Sequence, residues 1–200
     1  MFAVITGDIV QSQQTDVELW MHPLKKILSQ YGSTPKDWEI YRGDSFQIIT
    51  SPEQALLLGL IIKSSLKSNN INVRMAIGVG DINYRTDKIT ESNGSAFVNS
   101  GTSFDRLKKH YFSIKTPWEH YNTIVNTMLD LASITMDKWT AKTAKVICFK
   151  FQNPTMNQID IAENFDKKGQ GNISEALKRG GYDQLNQFLN YYRQSILELC

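Results

Sequence analysis

The order of elements along this 200-residue sequence predicts an α+β fold, a mixed sheet with helices followed by an all-α tail, and three observations carry the prediction. Apolar runs of strand length, such as Phe2-Ala3-Val4-Ile5 and Val73-Arg74-Met75-Ala76-Ile77, alternate with segments of helical spacing. Between the first two helical segments, the β-branched and aromatic runs Trp38-Glu39-Ile40-Tyr41 and Phe46-Gln47-Ile48-Ile49-Thr50 flank Gly43-Asp44 as a β-hairpin. From residue 117 onward the reading is helical throughout. A hairpin set between two helical crossovers points to a split βαβ, ferredoxin-like arrangement with helices on one face, not to a doubly wound parallel sheet.

Taken in order, residues 2–10 form an unbroken apolar strand with an aspartate set inside it. Thr15-Asp16 opens a helix through Val17, Leu19, Trp20, Leu24, Ile27 and Leu28, with Gly32 as its stop and Pro23 as a possible kink. Ser51-Pro52-Glu53-Gln54 combines an N-cap, a proline at the first helical position and a capping-box glutamine. The helix it starts is apolar almost all round, so it is expected to be buried against the sheet. Residues 71–79 are a strand, Gly94 introduces a helix ending near Lys109, and Tyr111-Phe112-Ser113-Ile114 is a last strand.

Composition bounds the function. With 41% hydrophobic and 21% charged residues the chain is able to bury a proper core. The longest apolar run, residues 55–62, is far shorter than a bilayer span, and no basic segment precedes the first strand, so a cytoplasmic protein without membrane contact is expected. Cys148 and Cys200 lack metal-ligand spacing and there are three histidines, which argues against a disulfide framework or a zinc site. A net charge of +2 announces no nucleic-acid partner by itself.

Asp8 and Asp44 need a reason. A carboxylate at a buried strand end is costly unless something positive compensates it, and a divalent cation shared with the hairpin-tip carboxylate would do so. Adjacent strands lie about 4.8 Å apart, so the chain reversals bring the two aspartates within reach of one ion. A turn aspartate plus a strand-end cap is the plainer alternative and stays open. Arg42, next to the tip, would either contact a phosphate or pair with Asp44.

The strand ending Asp8-Ile9-Val10, the tip Arg42-Gly43-Asp44-Ser45-Phe46, the strand Val73-Arg74-Met75-Ala76-Ile77-Gly78-Val79-Gly80 and the segment Gly94-Ser95-Ala96-Phe97-Val98-Asn99 resemble, in order and spacing, the palm domain of class III nucleotidyl cyclases. The tip is also similar to the signature hairpin of diguanylate cyclases. As a whole the chain resembles the SatD-like family of small bacterial proteins, whose first half is cyclase-like and whose end resembles a helix-turn-helix. The resemblance implies a palm over residues 1–116, a connecting helix over 117–138 and a helix-turn-helix domain over 139–200. It implies magnesium (Mg2+) held by Asp8, Asp44 and the Ile9 carbonyl, with Val10, Gln11 and Ser12 near the phosphates of a nucleoside triphosphate. Glu91 matches the base-contacting acid, Asn99 the transition-state asparagine, and a homodimer is implied because such sites are built across two subunits. The base-selecting slot holds Ile40 and the catalytic arginine slot holds Ser103, with Arg106 as a substitute on the same helical face or as a plain solvent-facing residue. Losing such a donor costs about a hundredfold or more in rate, so binding without turnover is expected.

In the tail, residues 138–182 hold eight Lys or Arg against four acids. A short helix carrying Ile159, Ile161 and Ala162 is followed, across residues 166–171, by Asn172-Ile173-Ser174-Glu175-Ala176-Leu177-Lys178-Arg179, which resembles a recognition helix for double-stranded DNA. Lys167 and Lys168 would meet phosphate, while Asn172, Ser174 and Lys178 would face the bases. A small helical bundle packed on the palm is the alternative. The last helix carries an apolar stripe, Leu185, Phe188, Leu189, Tyr192, Ile196 and Leu199, suited to core or dimer interface. Two functions compete: a nucleotide-responsive DNA-binding regulator, which the sequence favours, and an active nucleotidyl cyclase with a structural tail.

Overall fold

The computed structural model describes residues 1–107, 111–165 and 170–200. Five strands, β1 (Phe2–Ile9), β2 (Trp38–Tyr41), β3 (Ser45–Thr50), β4 (Val73–Gly80) and β5 (Phe112–Lys115), form one mixed sheet in the order β2-β3-β1-β4-β5. The first four strands in that order pair antiparallel and β5 pairs parallel to β4. The helices are α1 (Glu18–Leu28), α2 (Pro52–Lys67), α3 (Ser95–Asp105), α4 (Glu119–Met136), α5 (Ala141–Gln152), α6 (Gln158–Glu163), α7 (Gln170–Gly180) and α8 (Tyr182–Leu199).

Strand alternation sorts the side chains. Ile5, Ile9, Phe46, Ile48, Met75, Ile77, Phe112 and Ile114 fall on one face and belong to the main core with residues of α1 and α2. Val4 and Ile49 fall on the other, where they meet Ala96 of α3 and Ile89. The expectation of helices on one face is therefore corrected: α3 covers the opposite face over β4, β1 and β5. It gets there because Gly78 and Gly80 present no side chain, and a Cβ at Gly78 would stand 2.1 Å from the Ser100 nitrogen.

Helix α2 is central. Its first turn does not use the expected cap, since the Ser51 hydroxyl donates to Glu53 instead of accepting from helix amides. Its sides are buried from Ala55 to Leu66 because β1 and β4 lie along one flank and α5 and α8 along the other. The boundaries expected at 116 and 138 fall between β5 and α4 and between α4 and α5, yet side chains from both sides join a single hydrophobic core. The apolar stripe of α8 is largely consumed within the chain: Leu185, Phe188, Leu189, Tyr192 and Ile196 are buried, and Leu199 at its end is exposed. No helix among the described residues is long and apolar enough to cross a membrane.

Candidate functional site

The face that α3 only partly covers changes character along the strands. Level with Val4 it is apolar, through Ile49 and Ala96. One step further, Gln47 donates to the Thr6 hydroxyl (3.2 Å), Thr6 donates to Ser100 (3.0 Å), and Ser103 and Ser113 share a hydrogen bond of 2.7 Å. The last step is a row across four strands, Tyr41 opposite Ser45, Ser45 opposite Asp8, Asp8 opposite Arg74. This polar end of the sheet is the candidate site.

Asp8 is only 17% exposed, and Arg74 neutralises it. The Arg74 Nε donates to one carboxylate oxygen at 2.9 Å and its terminal amino group donates to the other, a two-pronged charged pair. Phe104 of α3 lies under the guanidinium, 5.4 Å from ring centre to carbon. The hydrogen bonds to Asp8 are the main reason the Arg74 pKa is raised, outweighing burial, with Asp8, Tyr111 and Asp44 adding Coulombic support. Tyr41 also has a raised pKa, chiefly from burial.

The hairpin turn is centred on Arg42 and Gly43, one residue earlier than the sequence suggests, with φ of 51° and 90°. Both are left-handed, the loop between the paired Tyr41 and Ser45 is three residues long, and Arg42 projects exposed from its tip. Asp44 follows it. Its carbonyl accepts from the Ile9 amide at 3.3 Å, and its carboxylate accepts from the Ser12 hydroxyl. The structure thus brings Asp8, Asp44, Ile9 and Ser12 to one end of the sheet and gives each carboxylate a protein partner.

Several expected roles are displaced. The Val10 amide, expected near phosphate, donates to the Asn72 carbonyl at 2.9 Å. Gln11 is left-handed (φ 57°) and starts a 3-10 turn over Ser12–Gln14, so α1 begins only at Glu18 and its positive end is not at residues 10–12. Asn99 donates to the Val79 carbonyl at 2.8 Å, level with Ala3 and so at the opposite end of β1 from Asp8. Glu91 is exposed and pairs with Lys88 at 3.8 Å, on a 3-10 turn (Ile89–Glu91) that packs on the hairpin through Ile89. Arg106 caps α3 two residues beyond Phe104 and is exposed.

Both Asp8 oxygens are held by Arg74, one Asp44 oxygen by Ser12, and among the described residues no group of three or more His, Cys, Asp or Glu side chains gathers. A hard divalent ion asks for several free oxygens. These residues do not fit a resident magnesium ion. Sequence reasoning missed Arg74, although the period-two series Val4-Thr6-Asp8 and Arg74-Ala76-Gly78 would have set it opposite Asp8 once the register was known.

In the tail, α7 packs on α5 and α6 through Ile173 and Leu177, both buried, and leaves Asn172, Ser174 and Lys178 exposed. Asn157 caps α6 by accepting from the amides of Ile159 and Asp160. Lys167 and Lys168 lie outside the described residues. Beside α7 runs a groove of about 360 Å³ whose lining includes Lys142, Lys145, Asn172 and Arg179, with Glu175 as its acid. Lys138 and Lys178 are exposed nearby on the same group of helices.

Compared with known proteins, the chain matches no family model and no curated protein.

Proposed function

We propose that this chain is a DNA-binding transcriptional regulator whose sheet domain receives a nucleotide. The observation that carries the reading is α7: a short helix seated on α5 and α6 by Ile173 and Leu177, presenting Asn172, Ser174 and Lys178 to solvent beside further exposed lysines. In this reading α6 and α7 are a helix-turn-helix, and α7 enters the major groove. Strands β4-β1-β3-β2, antiparallel with two crossover helices, are read as a ferredoxin-like palm, in keeping with the cyclase and SatD-like resemblance. The row Tyr41, Ser45, Asp8, Arg74 with Arg42 at the tip is the nucleotide end. Helix α2, wedged between sheet and tail, is the mechanical link from that end to α5 and α8.

Magnesium has no part in this reading, and turnover has little support, because Asn99 is spent on Val79 and Ser103 on Ser113. A homodimer is retained on the exposed Leu131 and Ile134 of α4, since the α8 stripe is already largely buried. The experiment is a gel shift of the full chain at low salt against a pool of random duplexes. Retardation that weakens steeply with salt is expected; no retardation at low salt sinks the regulator.

A further inference from the structure

We infer that the Arg74 guanidinium stands in place of a divalent cation at the end of β1, so that a phosphate group is received there without metal. The inference takes the nucleotide reading of this end of the sheet as its starting point and names how the ligand is held.

A carboxylate at this strand end needs a positive partner, and Arg74 supplies one on both oxygens at once. An ion arriving at Asp8 would have to displace that fork and would then lie beside a guanidinium of like charge. Asp44 offers no substitute by itself, because the Ser12 hydroxyl already occupies one of its oxygens. Among the described residues, Arg74 is far from saturated. Guanidinium carries five N–H donors in a fixed plane, of which two go to Asp8, and the side chain is 40% exposed. Asp8 holds the plane from one edge and Phe104 from beneath, so the remaining N–H groups are oriented in advance, as phosphate recognition asks. Arg42, exposed at the neighbouring hairpin tip, provides a second cation for the same class of ligand. The ligand is therefore a nucleoside phosphate bound through guanidinium contacts.

The test is a 1H–15N spectrum of the full chain, following the Arg74 Nε–H signal, assigned by its loss in Arg74→Lys. Manganese ions at sub-stoichiometric level are expected to leave that signal sharp, and ATP in EDTA is expected to shift it with the same affinity as in magnesium. Arg74→Lys keeps a charge that Asp8 accepts, so the fold survives, while the fork is lost and ATP affinity is expected to fall about tenfold or more. Asp8→Asn, which releases the guanidinium from its fixed plane, is expected to weaken ATP in the same direction. Broadening of the Arg74 signal by manganese, or ATP binding that vanishes in EDTA, overturns the inference. ATP binding nowhere, with or without magnesium, sinks the nucleotide reading itself; the manganese arm then still decides whether Arg74 excludes the ion.

Discussion

The Tyr192 hydroxyl donates to the Pro52 carbonyl at 2.8 Å, joining the last helix to the first turn of α2 across 140 residues. Tyr192 is fully buried, and its own carbonyl accepts from the Tyr121 hydroxyl at 3.3 Å. Tyr192→Phe leaves the Pro52 carbonyl without this donor, and unfolding in urea is expected to show a loss of about 1–3 kcal/mol.

The same tyrosines set an alkaline limit. Burial raises the pKa of Tyr192 and Tyr121 above the ordinary 10.0, and those of Tyr31, Tyr41 and Tyr182 also rise. Above that ordinary value the unfolded chain gives up phenolic protons that the folded chain keeps, so stability is full below it and falls as pH rises past it. Urea midpoints measured across the alkaline range are expected to decline, and the decline is expected to be shallower in Tyr192→Phe. A flat profile in the parent protein contradicts the burial of these hydroxyls.

Lys63 on α2 is 6% exposed and paired with Asp137 at 2.8 Å, with Tyr111 under its ammonium. Desolvation lowers its pKa despite the Asp137 hydrogen bond and charge, so the charged form is held at a cost. The two partners should then differ in sign. Asp137→Asn strands a buried ammonium and is expected to destabilise by about 1–3 kcal/mol, whereas Lys63→Met, of similar volume, is expected to be neutral or stabilising. Equal losses in thermal unfolding for both variants would refute the account.

Gly78→Ala probes how α3 reaches the sheet. The new Cβ would stand 2.1 Å from the Ser100 nitrogen and 2.3 Å from the Ala96 oxygen, both backbone atoms that cannot step aside. A loss of about 1–3 kcal/mol or more is expected on chemical denaturation, with the Asn99 contact to Val79 disturbed. An unchanged midpoint means that α3 sits farther from β4.

For the DNA reading, Asn172→Ala is expected to cost about 1–3 kcal/mol at a preferred site and little elsewhere, because amide side chains read base edges. A lysine that only meets phosphate behaves differently: removing one weakens all sequences and lowers the salt slope by about one counterion. Comparing Lys178→Ala with Asn172→Ala by fluorescence anisotropy separates the two kinds of contact. If neither variant alters a measurable affinity, α7 is not the binding helix.

Cyclic nucleotide formation from ATP or GTP is expected to be absent or slow even with manganese. Robust product by chromatography would restore the enzyme reading.

Much of this fold was open to inspection in the sequence, for reasons that are local. The unbroken apolar run of residues 2–9, the existence of a hairpin near Gly43 and the apolar surround of α2 each follow from neighbours within a few positions. What lay out of reach depends on register between distant segments. That Asp8 faces Arg74 requires β4 to lie beside β1 in one specific alignment, and a slip by one residue would turn Arg74 to the other face. The side of the sheet taken by α3 is likewise decided by Gly78 and Gly80 meeting one helix, which no period within either segment announces.

Helix α2 has a bearing on how the protein is made. Its outer flank is covered by α5 and α8, and the Tyr192 hydrogen bond reaches it from the final helix. During synthesis the sheet strands and α2 leave the ribosome well before that cover exists, so the apolar flank of α2 waits exposed until α5 and α8 have emerged. A nascent chain arrested before residue 182 is accordingly expected to be a client for chaperones and sensitive to protease.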